Sequence, residues 1–113
     1  MLRVETEGAV ATITLARPEV KNALDDQLIA ALSAAFSHLG PDIRAVVLTG
    51  DGNAFCAGGD LQWMRRAANY TEEENYRDAV KLAELFRAIV ECPAVVIANY
   101  VIEKGKPATT PVK

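Results

Sequence analysis

The sequence has one histidine, two cysteines and no long apolar run, and each scarcity removes a class of function. A membrane-spanning helix needs about 20 consecutive apolar residues, which no stretch supplies. Met1-Leu2-Arg3-Val4-Glu5 alternates apolar and polar at once and has no signal-peptide core. Cys56 and Cys92 lack the spacing of metal ligands and read as small hydrophobes in a reducing compartment, so no metal is expected and the cytoplasm is the expected location. Positive charge is scarce too. Twelve Lys and Arg against fifteen Asp and Glu give a net charge of -3, which leaves no clustered basic face for nucleic acid. Glycine runs out early: after Gly59 the sequence contains only Gly105.

What remains is an ordinary globular balance, 50% hydrophobic and 24% charged over 113 residues, enough for one domain at most. Leu2, Val4 and Thr6 alternate with Arg3, Glu5 and Glu7, then Glu7-Gly8 turns into a second strand over residues 9–15, so the chain opens on a β-hairpin. Pro18 ends it. Leu24, Leu28, Ala31, Leu32, Ala35 and Leu39 recur at helical spacing, with Asn22, Asp25 and Asp26 as candidate caps and Gly40-Pro41 as the stop. His38 lies near that helix end, where a protonated imidazole suits the dipole; a structural role outweighs a catalytic one. Residues 43–48 are nearly all apolar, as in a strand covered on both faces. Residues 61–68 read as a short helix. Thr71-Glu72-Glu73-Glu74 is a capping box, a better account of its carboxylates than acid/base chemistry. It opens a helix to about Glu91, with one apolar row of Tyr76, Val80, Ala83, Phe86 and Val90 and another of Leu82, Leu85 and Ile89. So wide an apolar face implies burial against a sheet. Residues 94–98 form a last buried-type strand, and the Pro, Thr and Lys of the final residues suggest a disordered tail.

The stretch that organises the rest is Ala54-Phe55-Cys56-Ala57-Gly58-Gly59-Asp60-Leu61. It joins the strand and the turn Gly50-Asp51-Gly52-Asn53 to a helix N-terminus, where backbone N–H groups lack intrahelical partners and favour an oxyanion or a polarised carbonyl. Gly58 and Gly59 present no side chain to an approaching substrate, although two glycines also serve simply to make a turn. A phosphate-loop reading fails for want of Lys-Ser/Thr after the glycines.

Taken with Arg17-Pro18, Lys21-Asn22-Ala23-Leu24 and the strand at 45–49, this loop resembles the N-terminal part of the enoyl-CoA hydratase/isomerase (crotonase) family, over about residues 2–98. Trp63-Met64 and Tyr70-Thr71-Glu72-Glu73-Glu74-Asn75 look most like methylglutaconyl-CoA hydratases. The resemblance implies an α/β fold, a partial crotonase-like (ClpP/crotonase) ββα spiral over residues 1–98 with a divergent, disordered tail over 99–113. One helix is expected between the second and third strands and a helical pair before the fourth. The implied partner is an acyl-CoA thioester, with coenzyme A part of the substrate and no separate cofactor. Its carbonyl oxygen would accept two backbone hydrogen bonds that stabilise an enolate, each donor contributing about 3 kcal/mol. By position, Gly59 N–H is the first donor, Gly58 permits the turn, and Ala57, Asp60 and Leu61 shape the pocket. Val20, Lys21 and Ala23 fall where relatives contact the nucleotide end of CoA, although Lys21 also fits a plain solvated charge. Arg65 and Arg66 likewise fit either CoA contacts or a solvated face, and Trp63 and Met64 either an acyl pocket or the core.

The resemblance also says what to miss. The second oxyanion donor comes from a glycine-rich turn after the fourth strand, and here that strand runs into Asn99-Tyr100-Val101-Ile102. No glutamate matches a catalytic position of the hydratases, and Glu103 is the only one after the fourth strand. Hydration needs a positioned acid/base. Two readings follow: an enzyme by lineage whose catalytic half is absent or supplied by another chain, or a non-catalytic half-domain that binds CoA or assembles with full-length relatives or with itself.

Overall fold

The computed structural model describes residues 1–53, 55–102 and 106–111, of which 99–102 and 106–111 are described by their backbone alone. A five-stranded sheet carries three helices. β1 (Leu2–Glu7) and β2 (Val10–Leu15) form the expected hairpin, antiparallel from Leu2↔Leu15 to Glu7↔Val10 around the two-residue turn at 8 and 9. A 3₁₀ turn at Pro18–Val20 leads to α1 (Asp26–Ser37), and the chain returns as β3 (Ala45–Gly50), parallel to β2 in the register Val10↔Ala45. α2 (Leu61–Ala67) and α3 (Glu72–Val90) then precede β4 (Val95–Ile102), parallel to β3. The spatial order is the chain order. The expected helix between β2 and β3 and the helical pair before β4 are both present.

The helices start where local chemistry dictates. Of the three candidate caps, Asp25 caps α1, its carboxylate accepting the Leu28 N–H at 2.8 Å. At the other end His38 Nδ1–H donates to the Ala34 carbonyl at 2.6 Å, a structural contact. The capping box of α3 is complete: Thr71 Oγ1 accepts from Glu74 N–H, and the Glu74 carboxylate accepts from Thr71 N–H, both at 3.1 Å. Such reciprocal caps satisfy amides that the first turn cannot.

The core lies between one face of the sheet and the helices. Ile13, Leu15, Val46, Leu48 and Val96 meet Leu28, Ile29, Leu32 and Phe36 of α1 and Leu85 of α3. Two expectations are corrected. β3 is covered on one face only, since Val46 and Leu48 are buried while Ala45 and Val47 are half-exposed; the apolar run alone does not count the layers. The wide apolar face of α3 is also not buried across its full width. α3 packs on α1 through the row of Leu82, Leu85 and Ile89, while Tyr76, Phe86 and Val90 of the other row are 70%, 52% and 60% exposed. A single layer of helices has one inner side, so one of two equally apolar rows faces out.

The fourth strand passes residue 98 and runs to Ile102, and β5 (Lys106–Pro111) pairs with it antiparallel, Ile102↔Lys106 to Ile97↔Pro111. A strand holding Pro107 and Pro111 lacks those donors and belongs at a sheet edge, where β5 is. The expected tail coincides with this hairpin and with residues 103–105 and 112–113, so Glu103 lies outside the described residues.

Candidate functional site

Two loops meet beside the C-terminal ends of β2 and β3. The first, residues 21–24, enters through Lys21 and Asn22, both in the left-handed region with φ of 53° and 57°. Asparagine tolerates that region better than most residues. Buried Asn22 holds its place with both ends of its amide: Oδ1 accepts the Arg17 N–H at 2.8 Å and Nδ2 donates to the Asp51 carbonyl at 2.9 Å. The second loop, residues 57–60, runs alongside the first. Ala57 N–H donates to the Lys21 carbonyl at 3.0 Å, Leu24 N–H to the Gly58 carbonyl at 2.6 Å, and Asp60 N–H to the Leu24 carbonyl at 2.7 Å. Gly58 adopts φ +89°, a conformation closed to most side chains.

That pairing decides where Gly59 points. Leu24 and Gly59 form a parallel bridge, in which Leu24 uses its own N–H and C=O on the residues either side of Gly59. Successive peptide groups of extended chain face opposite ways, so the Gly59 N–H faces away from the first loop. Among the described residues it has no hydrogen-bond partner. It opens on a cleft of about 760 Å³ lined by Val20, Lys21, Ala23, Ala57, Gly59, Asp60 and Leu61, together with Arg17, Glu19, Gln62, Met64 and Arg65. Of the residues that the resemblance assigned to the oxyanion donor and the CoA site, Gly58 alone is outside the lining; it supplies the bend and the carbonyl that Leu24 holds. The loop residue Ala54 lies outside the described residues.

The helix N-terminus contributes differently from expectation. Asp60 caps α2 itself, Oδ1 accepting Gln62 N–H at 2.8 Å and Trp63 N–H at 3.1 Å. Those amides are therefore engaged, and the carboxylate offsets the positive end of the helix. Asp60 Oδ2 accepts from Arg17 Nη2 at 3.2 Å. The Trp63 amide, and to a smaller extent the Gln62 amide and Arg17, hold the Asp60 carboxyl below the usual carboxylate range, although burial works the other way. Arg17 also donates through Nη1 to the Ala23 carbonyl at 2.7 Å and lies 3.4 Å from Asp25 Oδ2. Its guanidinium thus joins 23, 25 and 60. Arg17 entered the sequence reading only as part of a motif, and no local signal marked its role, because Asp60 lies 43 residues further along the chain.

The neighbours of the loop separate by side. Trp63 packs against the core with Nε1–H donating to Asp78 at 3.1 Å, whereas Met64 is 50% exposed and lines the cleft. Lys21 and Arg65 bring positive charge to the lining; Arg66 turns instead to Asp26, at 3.2 Å. Among the described residues no group of His, Cys, Asp and Glu could hold a metal ion, and no helix is long and apolar enough to cross a membrane.

Comparison with known proteins places the fold. The enoyl-CoA hydratase/isomerase family profile matches residues 5–101. A probable enoyl-CoA hydratase of Mycobacterium bovis is 41% identical over 98 residues, 86% of this chain and 37% of that protein. A crystal structure of an enoyl-CoA hydratase from Shewanella pealeana superposes with a TM-score of 0.83 at 31% identity, over 86% of this chain and 37% of the other. One from Mycobacterium smegmatis gives 0.79 at 41% identity, over 86% and 38%. The chain spans less than two fifths of the length of the curated relatives it matches, 39% and 37% for two of them.

Proposed function

The chain belongs to the enoyl-CoA hydratase/isomerase family, and from that premise we propose that its cleft takes an acyl-CoA thioester whose carbonyl oxygen accepts a hydrogen bond from Gly59 N–H. One observation carries the reading: an exposed backbone donor, held in direction by three hydrogen bonds on neighbouring residues, with no partner of its own among the described residues. A donor fixed before the substrate arrives needs no reorganisation when charge develops on the oxygen. Lys21 and Arg65 in the same lining suit the phosphates of coenzyme A. The chemistry served in a full-length relative is hydration of an enoyl-CoA, methylglutaconyl-CoA being the candidate that Trp63-Met64 and the 70–75 segment suggest.

A binding role without turnover is supported by Asp60. It is the buried carboxylate of the cleft, and both its oxygens already accept hydrogen bonds, so it is poorly placed to move a proton. The second donor and the proton-transfer groups would then come from residues other than those matched here.

Isothermal titration with butyryl-CoA, and crotonyl-CoA hydration followed in the same preparation, tests the reading. Gly59→Pro removes the N–H, and the space a side chain would enter is bounded by the flexible end of Met64, 3.4 Å from an added Cβ. The expected result is about tenfold weaker thioester binding, the value of one hydrogen bond at the upper end of its ordinary range, with binding of free coenzyme A unchanged. Equal thioester affinity in the two proteins would sink the role of Gly59.

A further inference from the structure

The cleft contains a residue whose geometry is unexplained by binding alone. Arg17 touches three segments with one planar group: the Ala23 carbonyl at 2.7 Å, Asp25 at 3.4 Å and Asp60 at 3.2 Å. Its side chain is only 15% exposed, and those of Asp25 and Asp60 are 13% and 9%. Each of the two aspartates is also a helix cap, Asp25 for α1 and Asp60 for α2. The guanidinium therefore sits between two N-cap carboxylates, and the Leu24–Gly59 bridge is made by the residues that immediately precede them in the chain. Without a cation there, two poorly solvated carboxylates repel across the bridge, and the bonds from Leu24 N–H to Gly58 and from Asp60 N–H to Leu24 are the ones the repulsion stretches. A lysine supplies the charge but cannot reach three acceptors in one plane.

We infer that Arg17 is a positioning residue that sets the direction of the Gly59 N–H by clamping residues 23–25 to Asp60. The inference rests on the proposed role of Gly59 as a thioester donor, and the two fail separately. Amide hydrogen exchange reads the clamp without substrate: Arg17→Gln should exchange Leu24 and Asp60 about tenfold faster while Ile13 and Val46, in the sheet, keep their protection. Uniform loss across the sheet would show a merely structural arginine and overturn the inference. The carbonyl ¹³C signal of [1-¹³C]butyryl-CoA reads the aim of the donor, because a hydrogen bond to the oxygen moves it downfield. Binding to the native chain should produce that shift, Gly59→Pro should abolish it, Arg17→Gln should lose most of it, and Arg17→Lys should lose part. A full shift in Arg17→Gln, with none in Gly59→Pro, refutes the clamp and leaves Gly59 standing. A full shift in Gly59→Pro refutes the donor. Should Arg17→Gln not fold, Arg17→Lys decides alone: an unchanged shift and unchanged exchange at Leu24 and Asp60 overturn the inference.

Discussion

The paired loops at 21–24 and 57–60 and the outer face of α3 both lie open to solvent, yet they are exposed in opposite senses. Around the loops, Asn22, Asp25, Asp60 and Arg17 have their polar atoms matched to named partners, and Gly59 N–H stands out against that background. On α3 the large hydrophobic side chains left exposed are Tyr76, Phe86 and Val90, surfaces that report only that no described residue covers them. An unsatisfied donor has a direction and a chemical complement, so it can argue for a ligand. An apolar row has neither. The loops support a functional reading and the helix face does not.

The comparison breaks first on α3 itself, where adjacent residues fall on its two sides. Leu85 is 1% exposed and Phe86 52%. Leu85→Ala is expected to cost about 3 kcal/mol, a transfer loss plus a cavity, whereas Phe86→Ala should stay within about 0.5 kcal/mol. Urea unfolding of the two variants checks this. Comparable losses would mean that the outer row is covered after all.

On the loop side Asn22→Ala is the sharper tool. It removes the amide's bonds to the Arg17 N–H and the Asp51 carbonyl from a residue with 0% exposure and leaves a residue with a Cβ at φ 57°. About 2 kcal/mol should be lost, less than for Leu85, and the loss should be accompanied by faster exchange at Ala57, whose N–H depends on Lys21. A stability loss without that local change would detach the loop from the site it is argued to build.

What could be read from the sequence divides along the same line. The glycine loop, the hairpin, the capping box at Thr71 and the order of helices were legible because each is set by residues a few positions apart. The role of Arg17 was not, since its acceptors lie 6 residues away at Ala23 and 43 away at Asp60, and only the fold brings them together. Helical periodicity defined two apolar rows on α3 but carried no information on which would meet α1. The N-terminus of α2 misled for a local reason. Asp60 was taken as a wall of the pocket, when an aspartate immediately before a helix is also its preferred cap, and the cap occupies the amides first counted toward anion binding. The boundary at residue 98 marks where the family resemblance stops, and the backbone of β4 continues past it to Ile102.

The smallest expected effect is the pH dependence contributed by Asp60. The Trp63 amide chiefly, with the Gln62 amide and Arg17, holds this carboxyl below its ordinary value in the fold. As pH falls, the unfolded chain therefore takes up the proton before the folded one does. The contribution is complete above the ordinary carboxylate range near pH ~4 and is lost as pH falls through the depressed folded value. A second carboxylate titrates over the same acid range. Asp51, also held low by its hydrogen bond and charge pairing with Arg3, sits on an open surface with side-chain exposures of 52% and 35% for the pair. Added salt screens the exposed pair far more than the enclosed one. Thermal unfolding from pH 7 to pH 2 in high salt should then show a gap between the native chain and Asp60→Asn that is widest above pH ~4 and narrows in acid. Parallel curves would mean that the Asp60 carboxylate contributes nothing as a charge, and that the loops are held by the backbone bonds and Asn22 alone.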